Sequence, residues 1–513
     1  MLGSVPRPPL SQASLFLRSL TALLIALAIP ACSRSSSPSG SSTTLTIGTA
    51  IPPVQDENSG LNVIIDLLTL EVPVQVGWDG KPIPRVIDRW KWSPDGLSVR
   101  LRLRPGLTFH DGTKLTNIIA ADILKQILDP SGNAVSKTVT SIVPEGSDEI
   151  VIHTSQPEGF LLSDMSLAPF ALPGKPHVGT GPFQLISDKP PILFRAFDGY
   201  RSGRPAIDTV KISEYATQRQ TWAAMMRGEA DVLHDVSVES LDFVQAESTV
   251  QTFSFVKAYY HALVFNLTLP LFAQKDVRRA LNTAIDRSQV VNISLRKRGI
   301  PSDGPIWPYH FGRSGDQPAY EFDPARAEAL LDSAGLTRKQ QPGRMPSRFR
   351  FTCLIAREDQ RLQRIGLVVQ KQLFNIGVDM DVELLPARQL GARVVRGQFE
   401  AALSEFGSMR SLNFVYALWH SVPPGAKGLV DFHYSSADAA LDKLRAAIKE
   451  EEVKTAVAEL QRAFYDDPPA VFLDWMQTAR AVSRSIHVQS EPERDVMGTL
   501  PQWRPAAAQT ARR

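Results

Sequence analysis

Reactive chemistry in a chain of 513 residues is first sought among its histidines, cysteines, paired carboxylates and glycine-rich turns. The nine histidines stand at 110, 153, 177, 234, 261, 310, 420, 433 and 487, with no His-x-x-x-His pair, and they spell no zinc site. Cys353, one of two cysteines, lies in the apolar, strand-like run 349–355, where a thiol is a small buried hydrophobe rather than a nucleophile. Glu450-Glu451-Glu452 is a charge run near a helix end, a solvated surface rather than a pair of carboxylates set across a glycosidic bond. Gly179-Thr180-Gly181-Pro182-Phe183 has the glycines of a phosphate loop without its lysine or spacing, and reads as a tight turn into a strand. There is no G-x-S-x-G elbow and no dinucleotide fingerprint. The chain is therefore expected to be no enzyme and to need no cofactor or metal. What remains are residues that recognise. Arg410 suits a carboxylate or phosphate, against the plainer alternative of a surface arginine. Trp419-His420 suits an aromatic or cationic ligand, against simple burial.

The ends and the composition bound the setting. Arg7 and Arg18 precede an apolar core at residues 20–29, too short to span a membrane, so residues 1–31 read as a targeting segment. Ile29-Pro30-Ala31-Cys32 looks like a bacterial lipobox with an unusual Pro30, which predicts a lipid on Cys32; an ordinary secretory cut near Ala31 is the alternative. Residues 32–44 are nearly all Ser, Pro, Gly and Thr and behave as a tether. With Cys32 lipidated, Cys353 has no partner and no disulfide forms. Loss of Arg7 and Arg18 leaves 54 basic against 53 acidic residues, a balance without the footprint of a nucleic-acid binder. The remaining length exceeds one ordinary core, so two or more domains are expected.

The elements that must position the recognising residues are legible one by one. Leu97, Val99, Leu101 and Leu103 alternate with Ser98, Arg100, Arg102 and Arg104, the period-two pattern of a strand with one buried and one wet, cationic face. Pro105-Gly106 breaks the run, residues 107–110 extend again, and Asp111-Gly112 turns, so the stretch predicts a β-hairpin element. Thr116 caps a helix near 117–129. Residues 149–153 and 210–212 read as strands and 221–226 as a helix. In the segment 276–287, Val277, Leu281, Ala284 and Ile285 share one helical face, and Arg278, Arg279, Asn282 and Asp286 the other. Asp323 caps, Pro324 opens and Gly335 closes a compact helix. A strand at 349–355, a helix with Ile365, Val369 and Leu373, a strand after Gly377, a helix at 455–464 and a strand at 468–473 follow.

Taken in order, DGLSVRLRLRPGLTFHDG at 95–112, GTGPF at 179–183, Gly228-Glu229-Ala230-Asp231, the segment 259–266 ending in Phe265-Asn266, the helix 276–287 and the helix opened by Asp323-Pro324 resemble one family. It is the peptide, nickel and opine class of extracellular solute-binding proteins, family 5, that serves ABC importers, and the likeness runs from about residue 45 to 480. It implies an α/β, two-lobe periplasmic-binding-protein fold, class II-like and of the large cluster C type, with an extra subdomain inserted in the first lobe. The expected divisions are 45–55, 176–260 and 482–513 for the first lobe, 56–175 for the inserted subdomain and 261–481 for the second lobe.

The resemblance also implies ligand contacts from the crossover segment, here Tyr259, Tyr260, His261 and Asn266, and from the second-lobe strand ending in an aromatic, here Phe406 with its neighbours. Each stands against ordinary packing within a lobe. Peptide-binding relatives place an aspartate shortly after that aromatic to pair with the peptide ammonium, whereas this chain has Met409. Glu405 can substitute only if its strand face allows, and Arg410 and Trp419 complete the candidate set. The implied role is the extracytoplasmic substrate-binding component of an ABC importer, a monomer held to a membrane through Cys32. It would deliver a peptide-like or other small polar solute to a permease and ATPase complex. A ligand sensor on the same fold and a receptor for a metal chelate are the alternatives; a hydrolase has no residues to support it.

Overall fold

Two long strands, Val250–Phe265 and Ala470–Ser483, pair antiparallel over most of their length and lie side by side in the middle of an 11-stranded mixed sheet. On one side of the pair come Ala401–Gly407, Phe349–Ala356 and Val378–Leu385; on the other come Val232–Val236, Thr44–Thr49, Thr209–Glu214, Ile192–Ala196 and Phe183–Ser187. Thr44–Thr49 and Phe349–Ala356 each run parallel to both neighbours, a pairing that needs crossover connections and therefore helices over the sheet faces. The computed structural model describes residues 43–50, 60–128, 136–167, 169–340, 345–422, 430 and 432–506; Cys32, the targeting segment and the tether to residue 42 lie outside them.

Each half of the sheet seals its own core. Leu45, Ile47, Phe194, Val210 and Ile212 pack with Val482, Val496 and Trp503 in one. Leu263, Phe265, Val369, Leu403 and Val471 pack with Val277 and Leu281 in the other. This is a two-lobe α/β fold, with Val250–Phe265 and Ala470–Ser483 as the crossings. Cys353 is wholly buried in the second core, and burial pushes its thiol up to about 12, so it carries no reactive thiolate.

The alternating run forms Ser98–Leu103, with Val99, Leu101 and Leu103 buried, inside a separate four-stranded sheet with Ile87–Trp92, Glu149–Thr154 and Val139–Glu145. The wet face is an ion-pair ladder: Arg100 meets Glu145 and Glu149, Arg102 meets Asp148, and Arg104 meets Asp88. The hairpin closes at the second of the two turns. Pro105-Gly106 does not fold the strand back on itself; the chain returns only at Asp111-Gly112, where Phe109 N–H donates to Thr113 O and Thr108 bridges Lys114. Thr116 then caps Asn117–Ile127 by accepting from Ile119 N–H.

A departure lies in the helix Lys275–Thr283. Arg278 and Asn282, expected on its solvent face, are buried. The start of the second crossing packs over them and presents bare carbonyls, and Arg278 donates to Pro468 O and Asn282 to Ala470 O. Long polar side chains are drawn inside because buried carbonyls need donors.

The GTGPF turn has a backbone role. Gly181 N–H donates to Thr69 O, His110 Nε2 lies 3.0 Å from Gly181 O, and Thr180 Oγ1 donates to Glu71. A Cβ on Gly181 would sit 2.4 Å from the Thr69 carbonyl carbon, and one on Gly179 2.4 Å from Thr69 O, so only glycine permits the approach. Gly181→Ala should therefore destabilise the chain by about 2 kcal/mol or more, measured as a lower urea midpoint, while Gly315→Ala, where the backbone is not left-handed and a Cβ meets only open space, tests the cost of glycine replacement without the clash.

Candidate ligand-binding site

The registers fix where the two lobes face each other. Val236, at the carboxyl end of its first-lobe strand, pairs with Ala479, which pairs with Ser254. Gly407, at the carboxyl end of its second-lobe strand, pairs with Tyr259. Both strand ends thus point at the same short stretch of the crossings, 254–259, and the crevice outside the carboxyl ends of strands is where open α/β sheets hold ligands.

Charged groups of both signs gather there. His261 and Asp474 are wholly buried on adjacent crossings, with Nδ1 2.9 Å from Oδ1. His261 Nε2 lies 3.7 Å from Glu405 Oε2. Burial alone would lower the imidazole, but Asp474 and then Glu405 outweigh it and hold His261 well above its ordinary value, so both ring nitrogens carry protons at neutral pH. Burial pushes the Glu405 carboxyl up, yet the neighbouring imidazolium keeps it below its ordinary value. Arg361, at the start of the helix Gln360–Asn375, pairs with Asp359 at 2.9 Å and approaches Glu405 at 3.9 Å. From the first lobe, Asp235 sits beside His234 at 3.0 Å and Arg480 at 3.4 Å. Burial raises its carboxyl, but those cations and Lys257 bring it down to about 2. Two ion pairs span the lobes, Glu239 with Arg364 at 2.7 Å and Asp242 with Arg298 at 2.6 Å. Among the described residues, His261 Nε2, Glu405 Oε2 and Asp474 Oδ2 are enclosed without a hydrogen-bond partner, a costly state that a bound group would relieve.

The residues singled out by sequence divide into three groups. His261, Glu405 and Tyr259 stand together beside the cleft; Tyr259 is half-buried, with Lys257 Nζ 5.8 Å from its ring centre. Tyr260, Phe406 and Trp419 form the opposite face: Tyr260 stacks on Phe406 at 5.7 Å and accepts from Trp419 Nε1 at 3.2 Å. Tyr260 and Trp419 are each 1% exposed. They are core, with Phe406 half-buried at their edge. Strand alternation separates the two groups, since Glu405 and His261 are paired across one face and Phe406 and Tyr260 across the other. Asn266 stands apart. It lies seven residues beyond Tyr259, about 23 Å at the rise of a strand, and its amide is spent on Gly397 O, Phe399 O and Thr268. Arg410 is not a surface residue: its Nε is enclosed without a partner. His420 stacks on Tyr416 beside Asp442 rather than joining Trp419.

Sequence reasoning passed over Asp474, Arg361, Asp235 and Arg480. Asp474 carries a signal in retrospect, a lone acid inside the apolar run from Ala470 to Met476. Among the described residues no group of three or more His, Cys, Asp or Glu is arranged to hold a metal ion, and no described helix is long and apolar enough to cross a membrane.

Comparison with known proteins adds the decisive observation: residues 81–425 match the model of the bacterial extracellular solute-binding proteins, family 5, middle region. The chain belongs to this family. As a family 5 solute-binding protein it is the extracytoplasmic substrate-binding component of an ABC importer. Curated relatives include the glutathione-binding protein of Pectobacterium atrosepticum, 21% identical with 80% of this chain and 83% of the relative covered. The oligopeptide-binding protein AppA of Bacillus subtilis is 24% identical, with 80% and 81% covered. Among solved structures, NikZ of Campylobacter jejuni in complex with Ni(L-His) superposes with a TM-score of 0.74 at 21% identity, covering 90% of this chain and 99% of that one. AppA with a nonapeptide gives 0.72 at 19%, covering 91% and 100%. Family 5 members are binding components of transport systems.

The His261–Asp474 pair gives a pH-dependent prediction. Because His261 is raised in the folded state, its stabilisation is fully present below the ordinary histidine value of 6.5 and is lost as pH climbs through the raised value. His261→Ala, which strands Asp474 in the core, should cost about 3 to 5 kcal/mol at neutral pH, and the gap to the parent protein should narrow in alkaline urea titrations.

Asp164 gives the opposite case. It accepts from Asn413 Nδ2 and is buried, and burial pushes its carboxyl up from 3.8 to about 7. The folded state then holds a proton that the unfolded state releases, so stability should fall as pH rises from 3.8 to about 7. Asp164→Asn should flatten that part of the melting profile.

Proposed function

We propose that the protein captures a peptide-like or other small polar solute in the crevice between its lobes and delivers it to a permease and ATPase complex, without covalent chemistry. The observation that carries this reading is the set of enclosed, incompletely paired groups, His261, Glu405 and Asp474, beside Arg361 and facing Asp235 and Arg480. Contacts to such groups come from both lobes, so a polar ligand stabilises the closed arrangement over an open one. Residues 45–55, 176–260 and 482–513 act as the first lobe, 56–175 as its inserted subdomain and 261–481 as the second lobe. Tyr259 and Glu405 make the contacts, with His261 charged behind Glu405. Cys32, lipidated, holds a monomer to the outer face of a membrane through the 32–44 tether; a chain with two or more acyl groups stays attached where a single one would exchange.

The glutathione- and oligopeptide-binding relatives favour a peptide-like solute. Nickel complexes in structural neighbours keep a metal chelate as the second reading. The mature chain, stripped of carried-over ligand, should gain several degrees of melting temperature and a smaller scattering radius with at least one member of a panel of oligopeptides, glutathione, sugars, opines and nickel–histidine. Glu405→Gln should weaken that response by about tenfold, the worth of one charge-assisted hydrogen bond. A response confined to nickel–histidine selects the second reading, and none across the panel defeats both.

A further inference from the structure

Residues 408–411 and the helix they open, Leu412–Trp419, have features that the cleft chemistry above leaves unused. The helix has 8 residues, and Ser411 holds its N-cap position without its side chain accepting from the first turn. The opening N–H groups of a helix have no intrahelical acceptor and carry the positive end of its dipole. Ser408 and Ser411 are 1% and 3% exposed, and the hydroxyl oxygens of both are enclosed without a hydrogen-bond partner.

Met409 and Arg410 both adopt left-handed backbone, with φ of 48° and 61°. That fold is pinned by Ser408 and Met409 N–H donating to Ala258 O and Ser411 N–H donating to Ser408 O, which leaves Arg410 N–H and the first turn of the helix as backbone donors. Arg410 is half-buried, and its Nε is enclosed without a hydrogen-bond partner among the described residues. Burial lowers its guanidinium from the ordinary arginine value, and Arg494 lowers it further, against Asp495. Asp495 is already taken by Arg480 at 2.6 Å, and Arg494 is a like charge.

A half-buried guanidinium without a close carboxylate gains most when an anion meets it, and backbone N–H groups at a helix start supply the rest of an anion's shell. We propose that residues 408–411 and the first turn of Leu412–Trp419 form a nest for the carboxylate or phosphoryl group of the captured solute, with Arg410 as its counter-charge. The proposal deepens the reading of the cleft as a solute site and rests on it: it assigns the solute an anionic group, held at the position where a cation-recognising acid would otherwise stand. Asp164 meets the same helix end through Asn413 Nδ2. Its carboxyl, pushed up to about 7 by burial, is largely protonated in mildly acidic solution and does not then repel an anion.

The test uses the mature chain, stripped of ligand, at pH 6, with inorganic phosphate, acetate, and trialanine with a free or amidated carboxyl terminus as probes in thermal-shift and calorimetric titrations. Phosphate or acetate is expected to raise the melting temperature; which one is stronger separates a phosphoryl from a carboxylate group. Free trialanine should bind at least about tenfold more tightly than its amide, and Arg410→Gln should erase that difference while Arg410→Lys keeps part of it. Circular dichroism melts of the unliganded variants control for folding. An anion response that survives in Arg410→Gln, or equal binding of free and amidated peptide, overturns the nest and leaves the solute-binding reading intact. Silence of the parent protein to these probes and to the wider panel overturns both.

Discussion

The ion pair between His261 and Asp474 joins the two strands on which both lobes hang, at the point where the chain passes from one lobe to the other. Neither group is exposed at all, and neither would be tolerated there alone, because an isolated charge inside a protein costs far more than a hydrogen bond returns. The pair therefore dictates its surroundings. The crossings must lie side by side in one register, Glu405 must approach from the neighbouring strand to balance the imidazolium, and Arg361 must follow to balance Glu405. What results is a chain of alternating charges leading from a sealed core to a crevice, and its outer members are held in place by its inner ones.

The aromatic face on the other side of the same strands does a different job. Tyr260, Phe406, Trp419, Phe432, Phe472 and Trp475 pack ring against ring, and the cluster is continuous with the apolar core of the four-stranded sheet. It joins the inserted elements to the second-lobe helices, with Glu158 and Arg445 in contact at 2.8 Å and Lys81 and Glu450 at 2.8 Å. The two faces of one strand thus divide the labour: apolar packing holds the bodies, and polar groups are left over for a solute.

Much of this was legible in the sequence, for reasons that differ by element. The alternation of Val99, Leu101 and Leu103 with arginines could be placed because strand pleating has a fixed period, and Thr116 and Asp323 because helix starts need acceptors. The family likeness drew attention to the crossover segment and to Phe406 with its neighbours. Pattern did not foresee that Arg278 and Asn282 would be buried, because that depends on carbonyls nearly two hundred residues away. Nor could it separate Glu405 from Phe406, adjacent in sequence but on opposite faces, before the registers were known. Asn266 closes the same motif in sequence, but its amide is used at the far end of the strand, on Gly397 O and Phe399 O. Asp474 and Arg361 were missed because their meaning lies in a meeting of strand ends that no local word encodes.

The ladder between the two crossings is not uniform: its register slips between Val256 and Tyr260 and again between His261 and Ala262. A ribbon with two such irregularities, flanked by regular pairing on either side, bends most easily about a single transverse line, because stretches of intact ladder resist shear and twist. In mechanical terms the crossings have the build of a strap hinge, with both irregularities lying beside the buried pair of His261 and Asp474.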